Sequence, residues 1–206
     1  MKIIKLREEY FEQTAVLLCE VFSKKEPLTK NLVFEGENFL EFCRRMIKGF
    51  FNQGLSFIAV EEEIVVALLL ARKEDLDFVS DDEALQLAPE LSPVFELQDH
   101  LYQKAEVDID PNRTVHLETI ACHKDYCNNG LSKKLLLHTI EHLKEQNFKY
   151  VTGMCTSHKS QELFKKGVLD FFKYEIKYGD FFCKKTYPQF NELEDKLCKL
   201  IVGVVS

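Results

Sequence analysis

The chain has 206 residues, long enough for one domain with a sizeable core, and its 46% hydrophobic and 30% charged residues exclude a disordered chain. Seven cysteines, at 19, 43, 122, 127, 155, 183 and 198, with no C-x-x-C among them, argue against a disulfide framework and a zinc site. The net charge of −7, and a carboxylate-rich stretch over residues 74–96 without Lys or Arg, make nucleic acid a poor partner and suit a cationic small molecule.

Residues 2–6 (KIIKL) predict a short opening strand. Over residues 10–22, Phe11, Ala15, Val16, Leu18, Cys19 and Phe22 recur at helical spacing, and a turn with Pro27 follows. Residues 39–53 predict a second helix with Phe42, Met46 and Phe50 on one face and Gly54 as its C-cap. Residues 55–60 and 64–71, joined by the acidic turn 61–63, predict a hairpin. Residues 73–112 form a long excursion with a helix near 95–103. A strand is expected over 114–122. The helix from Gly130 or Leu131 to 146 follows, with Leu135, Leu136, Ile140 and Leu143 inward. A strand over 150–155, a helix over 160–166 and strands over 171–178 and 181–187 complete the series, and the apolar tail 200–205 reads as a packed closing segment. Strands and helices in this order share one core, so the fold class is α/β (α+β), a mixed sheet flanked by helices, with residues 1–206 as a single domain. No apolar stretch reaches transmembrane length, and the N-terminus lacks a signal core, so a cytoplasmic protein without a membrane partner is expected.

The most informative stretch is 119–136. Asn128, Asn129 and Gly130 stand between a strand and a helix. Asn and Gly tolerate left-handed backbone angles, so such a turn can aim several N–H groups at one point. The helix N-terminus adds its positive dipole end, and Lys133 and Lys134 add charge. The combination suits a pyrophosphate; an ordinary strand-to-helix connection can carry the same letters.

This stretch resembles the acetyl-CoA signature of the GNAT superfamily of N-acetyltransferases, Arg/Gln-x-x-Gly-x-Gly/Ala after a strand. Cys127 takes the first place, Gly130 the central one and Ser132 the last, so the first and last places depart from the pattern. Residues 22–28 (FSKKEPL) are similar to the Phe-x-x-x-Glu-Pro-Leu segment of insect-type arylalkylamine N-acetyltransferases, whose Glu acts as base. Residues 155–160 (CTSHKS) are similar to the Cys-Ser-Ser-His-x-Ser segment of the dopamine branch, with Thr156 and Ser160 at the two hydroxyl places. Residues 173–181 look like the closing strand pair of that family, where Tyr178 is either a general acid or a packed aromatic. Taken alone, Glu26 reads as a solvated loop carboxylate and Ser160 as a helix N-cap.

The resemblance implies a sheet of about six or seven strands whose fourth and fifth strands splay apart. It implies acetyl-CoA, or another acyl-CoA, as co-substrate and no metal. Backbone at Ile120, Ala121 and Cys122 would run beside pantetheine. Cys127, Asn128, Asn129, Gly130, Leu131, Ser132 and Lys133 would hold the pyrophosphate. Glu26, Thr156 and Ser160 would be catalytic, and the acceptor would be a primary amine of arylalkylamine type. Two other readings stay open: a non-catalytic CoA-binding module, suggested by Cys127 and Ser132, and an acetyltransferase for protein amines. Strand alternation puts His116 and Cys122 on one face with His123 opposite, which argues against a metal between them. Nothing in the spacing sets a base beside Cys122, Cys127 or Cys155.

Overall fold

Strands β2 (Phe57–Glu61) and β3 (Ile64–Lys73) form the expected hairpin. Glu62 and Glu63 at the turn have φ 49° and 62°, left-handed values that match the twist of the paired strands. Strand β1 (Lys2–Lys5) pairs antiparallel with β2, and β3 pairs antiparallel with β4 (Thr114–Cys122). Ile58, Ala59, Ala67, Leu68, Leu69, Leu70 and Ala71 have no exposed surface, because the sheet is covered on both faces. Helix α5 (Leu131–Glu145) packs on one face; α1 (Phe11–Lys24) and α2 (Asn38–Phe50) pack on the other. This computed structural model describes residues 1–30, 32–34, 37–75, 81–106, 108–165, 172–181, 193 and 197–205. Among them no helix is long and apolar enough to cross a membrane.

The sheet has seven strands in the order β1-β2-β3-β4-β5-β7-β6, with β5 at Tyr150–Cys155, β6 at Phe172–Lys177 and β7 at Leu197–Val204. Every neighbouring pair is antiparallel except β4 and β5. The mixed α/β sheet flanked by helices is therefore present. The excursion after β3 carries two helices, α3 (Asp81–Leu87) and α4 (Ser92–Ala105), where one was expected. The seven-residue α3 meets the core through Ala84 and Leu87, too few positions to leave a periodic signal in the sequence.

The end of the chain departs most from expectation. The segment read as a closing apolar tail is β7, inserted between β5 and β6. Cys198, Leu200 and Ile201 are fully buried, and a strand buried on both faces lacks the alternation that marks a half-buried one. The strand expected over 181–187 lies outside the described residues except for Phe181, which follows a 3-10 turn at Tyr178–Asp180 and is not in a strand.

The parallel pair positions the site. It keeps only the rungs Thr114–Tyr150, Val115–Val151 and His116–Thr152, although β4 continues to Cys122 and β5 to Cys155. Beyond His116 the two strands part. Gly153 sits at the parting, where an added Cβ would come 3.0 Å from the Leu117 carbonyl oxygen. In the β3–β4 register, Leu70 faces Thr119 and Ala71 faces Leu117, which leaves Glu118 as a bulge. A bulge reverses the alternation. His116 consequently meets Tyr102 of α4, whereas Cys122 packs into the cluster beneath α5. The expectation that they share a face is corrected for that reason.

Candidate active site

The turn after β4 begins with His123 N–H donating to Val66 O at 2.8 Å and continues through a 3-10 turn at Lys124–Tyr126. Asn128 (φ 67°) and Gly130 (φ 71°) are left-handed, and α5 starts at Leu131. The first amide of this helix to bond back is Lys134, whose N–H donates to Gly130 O at 3.0 Å. The N–H groups of Asn128, Asn129, Gly130, Leu131, Ser132 and Lys133 have no acceptor among the described residues. Asn128, Asn129, Gly130, Lys133 and Lys134 are exposed, and a Cβ built on Gly130 would meet no atom within 4 Å. Free amides, a helix N-terminus, two cations and open space together fit a pyrophosphate.

Cys127 is arranged differently from the other expected contacts. Its N–H donates to Lys124 O at 3.4 Å, and its thiol turns inward to His123 O at 3.3 Å. Burial first, and then the Cys127 thiol beside it, push the Cys122 thiol up to about 12, which makes it inert near neutrality. Ile120, Ala121 and Cys122 lie where β4 has no rung to β5. An open strand edge offers backbone groups to an extended chain.

Glu26 follows α1. Lys25 and Glu26 N–H both donate to Val21 O, at 2.8 and 3.2 Å, and Lys30 N–H donates to Glu26 O at 2.9 Å. Pro27, Leu28 and Thr29 are buried, so the turn is packed and the carboxyl is not a solvated one. Glu26 Oε2 accepts from Thr29 N–H at 2.8 Å and stands 3.0 Å from the Thr29 hydroxyl. Oε1 is buried without a hydrogen-bond partner, the one such side-chain atom among the described residues. Burial raises this carboxyl above its ordinary range, against the pull of the Thr156 hydroxyl, then of Thr29 and the Leu28 amide. A carboxyl with one oxygen held and the other free, and with raised proton affinity, is suited to accept a proton.

Thr156 lies just past β5 with its side chain beside Glu26, and its carbonyl accepts a hydrogen bond from Tyr178 Oη at 2.7 Å. Ser160 is placed otherwise. Helix α6 (His158–Lys165) starts earlier than expected, and Ser157 is its cap: Ser160 N–H donates to Ser157 Oγ at 3.1 Å, and Ser157 N–H donates to Ser160 Oγ at 3.2 Å. The Ser160 hydroxyl donates to Ser157 O at 2.8 Å and lies by the thiol of Cys155. The N-cap reading of Ser160 is thus corrected, because the serine three residues earlier already holds that position. The fold brings Glu26 and Thr156 together, while the Ser160 hydroxyl bonds to Ser157 and lies against the Cys155 thiol at the end of β5.

Sequence reasoning missed a buried polar chain on the face of α4. His116, 2% exposed, has Nδ1 2.9 Å from Tyr102 Oη and 3.0 Å from Thr152 Oγ1. Thr152 Oγ1 donates to Glu74, and Arg72 Nε donates to Glu118 Oε2 at 3.0 Å. Burial lowers His116 and keeps it neutral near pH 7. Burial also opposes the charge of Glu118, but His116 and Arg72 hold that carboxyl below its usual range; Arg72, always charged, is the partner that acts at neutral pH. Only the strand register and the Glu118 bulge unite these residues, so no linear motif marks them.

The Glu26 environment has a consequence for stability. A carboxyl with a raised folded pKa favours folding below its unfolded pKa of about 4.3, and that contribution is lost as pH rises through the folded value. Glu26→Gln, neutral at every pH, should therefore melt higher than the wild type at pH 7–8. The gap should close on acidification below about pH 4, where both side chains are neutral. Thermal melts across that range check it; a lower melting temperature for Glu26→Gln at pH 8 would contradict the assigned burial.

A mixed sheet whose two parallel strands part beside an amide-lined turn defines the class of CoA-dependent acetyltransferase folds. The sequence pattern of the Acetyltransferase (GNAT) family matches residues 34–168, and the chain belongs to that family. No curated protein matches the sequence. Among solved structures, arylalkylamine N-acetyltransferase 2 from Aedes aegypti superposes with a TM-score of 0.75 at 17% identity over 100% of this chain and 99% of that one. The polyamine N-acetyltransferase of Drosophila melanogaster gives 0.74 at 16% identity over 98% of both chains. A mutant agmatine N-acetyltransferase in its apo form gives 0.76 at 16% identity over 98% of both. At these identities the likeness is one of fold.

Proposed function

We propose that the chain transfers an acetyl or other acyl group from CoA to a primary amine, an arylalkylamine-type small molecule, with Glu26 as general base. The observation that carries this reading is the buried, unpartnered Glu26 Oε1 beside Thr156. An amine of pKa about 10 must lose a proton before it attacks. Glu26 takes that proton, directly or through a water oriented by the Thr156 hydroxyl. The amine nitrogen bonds to the thioester carbon, backbone N–H on the unpaired edge of β4 faces the developing oxyanion, the C–S bond breaks, and CoA leaves as a thiolate that takes up the second proton shed by the acylated nitrogen, directly or through solvent. Asn128, Asn129, Gly130, Leu131, Ser132 and Lys133 would hold the pyrophosphate, with Ile120, Ala121 and Cys122 along the pantetheine arm. Ser160 supports the turn that carries Thr156. No metal is required, the whole of residues 1–206 acts as one catalytic unit, and the reaction belongs in the cytosol. Structural neighbours named for acetylation of arylalkylamines and of polyamines support small amines over protein amines.

A second reading, a CoA-binding module without catalysis, is favoured by one observation: Cys127 spends its N–H and thiol on its own loop. Both readings require CoA to stabilise the fold. At about 100-fold excess over Kd a ligand specific for the native state adds about 2.7 kcal/mol, which for a chain of this size raises the melting temperature by roughly 5–10 °C. A thermal shift with millimolar CoA measures it. No shift would contradict the cradle assignment as a whole.

A further inference from the structure

Tyr178 opens the 3-10 turn after β6 and is 1% exposed. Its ring belongs to the same buried cluster as Leu28, two residues after Glu26, and as Cys198 and Leu200 of β7. Its hydroxyl donates to the Thr156 carbonyl at 2.7 Å. A carbonyl can only accept, so the phenolic proton is directed to that bond, and the Cys198 thiol lies against the same hydroxyl. One side chain is thereby bonded to the Thr156 turn and lies in the same buried cluster as Leu28 of the Glu26 turn. The Thr156 side chain in turn lies against the Glu26 carboxyl.

We propose that Tyr178 is a positioning residue for the reaction: by holding the Thr156 backbone it keeps the Thr156 hydroxyl against the Glu26 carboxyl, and it acts on proton transfer through that contact and not as a proton donor of its own. This rests on the reading of Glu26 as base. The alternative role, protonation of the departing thiolate, needs a phenol that reaches the reacting atoms and regains its proton from solvent. A fully buried hydroxyl bonded to a carbonyl has neither property.

Among the described residues, the groups that face Glu26 are few. Thr156 follows β5, Thr29 and the Leu28 amide belong to its own turn, and Cys198 comes from β7. Burial pushes the Cys198 thiol up, so it is neutral in the working range and contributes no titration of its own. Among the described residues, Thr156 is therefore the group outside the Glu26 turn that favours the ionised carboxyl. Loss of its placement should raise the proton affinity of Glu26 further.

The test is the pH dependence of kcat/KM for amine acetylation in Y178F, T156V and the double variant, each as full chain, with CoA-induced thermal shift as a check on folding. Y178F keeps the ring and removes only the hydroxyl. It should lower kcat about five- to tenfold, the worth of one hydrogen bond, with KM for both substrates nearly unchanged. Its acid limb should move to higher pH. T156V should move the acid limb in the same direction, and the double variant should move it no further, because both changes act on one contact. If Y178F alters only the alkaline limb, Tyr178 is a proton donor and the proposal is overturned. It is overturned equally if the melting temperature falls while the pH profile stays that of the wild type, or if T156V leaves the acid limb in place. Failure of the underlying reading is seen separately: a fully active E26Q removes Glu26 as base whatever Tyr178 does.

Discussion

Glu26→Gln should lower kcat/KM near neutral pH by roughly 10²–10⁴-fold, the range that general-base catalysis supplies. The substitution keeps the volume of the side chain, and its carbonyl oxygen can replace Oε2 as acceptor for the Thr29 amide, so the packed turn at Pro27, Leu28 and Thr29 survives. What disappears is proton affinity at the unpartnered position of Oε1. CoA affinity should hardly move, because the carboxyl meets the amine and not the cofactor. The deficit should shrink as pH approaches the amine pKa of about 10, where the nucleophile is already neutral without help. Thr156→Val and Ser160→Ala should both cost less. The structure orders them: Thr156 adjoins the carboxyl, whereas the hydroxyl of Ser160 is occupied by Ser157. Full activity of Glu26→Gln at pH 7 would move the search for a base to the acidic stretch 75–83, of which 76–80 lie outside the described residues.

Gly130→Val should weaken CoA binding by at least about 100-fold, close to 2.7 kcal/mol, while far-UV circular dichroism stays that of the folded protein. Two causes add. The position has φ 71°, a left-handed angle that costs a non-glycine residue about 1–3 kcal/mol and a β-branched one most. A valine that accepts this strain puts its methyl groups into the open space at the turn, on the chain segment that carries the unbonded amides of residues 128–133. A valine that relieves it tilts the first turn of α5 and scatters those amides. Gly130→Ala, with the angle penalty but less bulk, should fall between the two. Calorimetry or thermal shift with CoA reads the series, and an unchanged affinity for Gly130→Val would refute the cradle.

The strands around the site were legible because their chemistry is local. The hairpin β2–β3, strand β5 and helix α5 appear within about two residues of expectation, since apolar runs bounded by turn residues and a long helical stripe leave strong signals. Strand β7 was not legible as a strand, because burial on both faces erases its alternation, and its insertion between β5 and β6 depends on pairing distant in sequence. The same non-locality hid the Glu118 bulge, and with it the opposite facing of His116 and Cys122.

For the site, three short segments located Glu26, Thr156 and the Asn128–Gly130 turn through resemblance to a family. Physical reading of Glu26 alone gave a solvated carboxylate, because burial is a property of the packed turn and not of the residue type. The link from Tyr178 to Thr156 also needed the fold: the two residues meet only because β6 and β5 flank β7. The helix cap expected at Ser160 lies one helical turn earlier at Ser157, since both serines are competent caps and the sequence does not rank them.

The central claim, that this fold joins an acyl group to an amine, is tested most directly by thiol release from acetyl-CoA in the presence of dopamine, tyramine, tryptamine and polyamines, with the product mass followed in parallel. The account predicts saturable, amine-dependent release, with one N-acylated amine formed per thiol. Tight CoA binding without amine-dependent release from any member of the panel would contradict it and leave a binding module in its place.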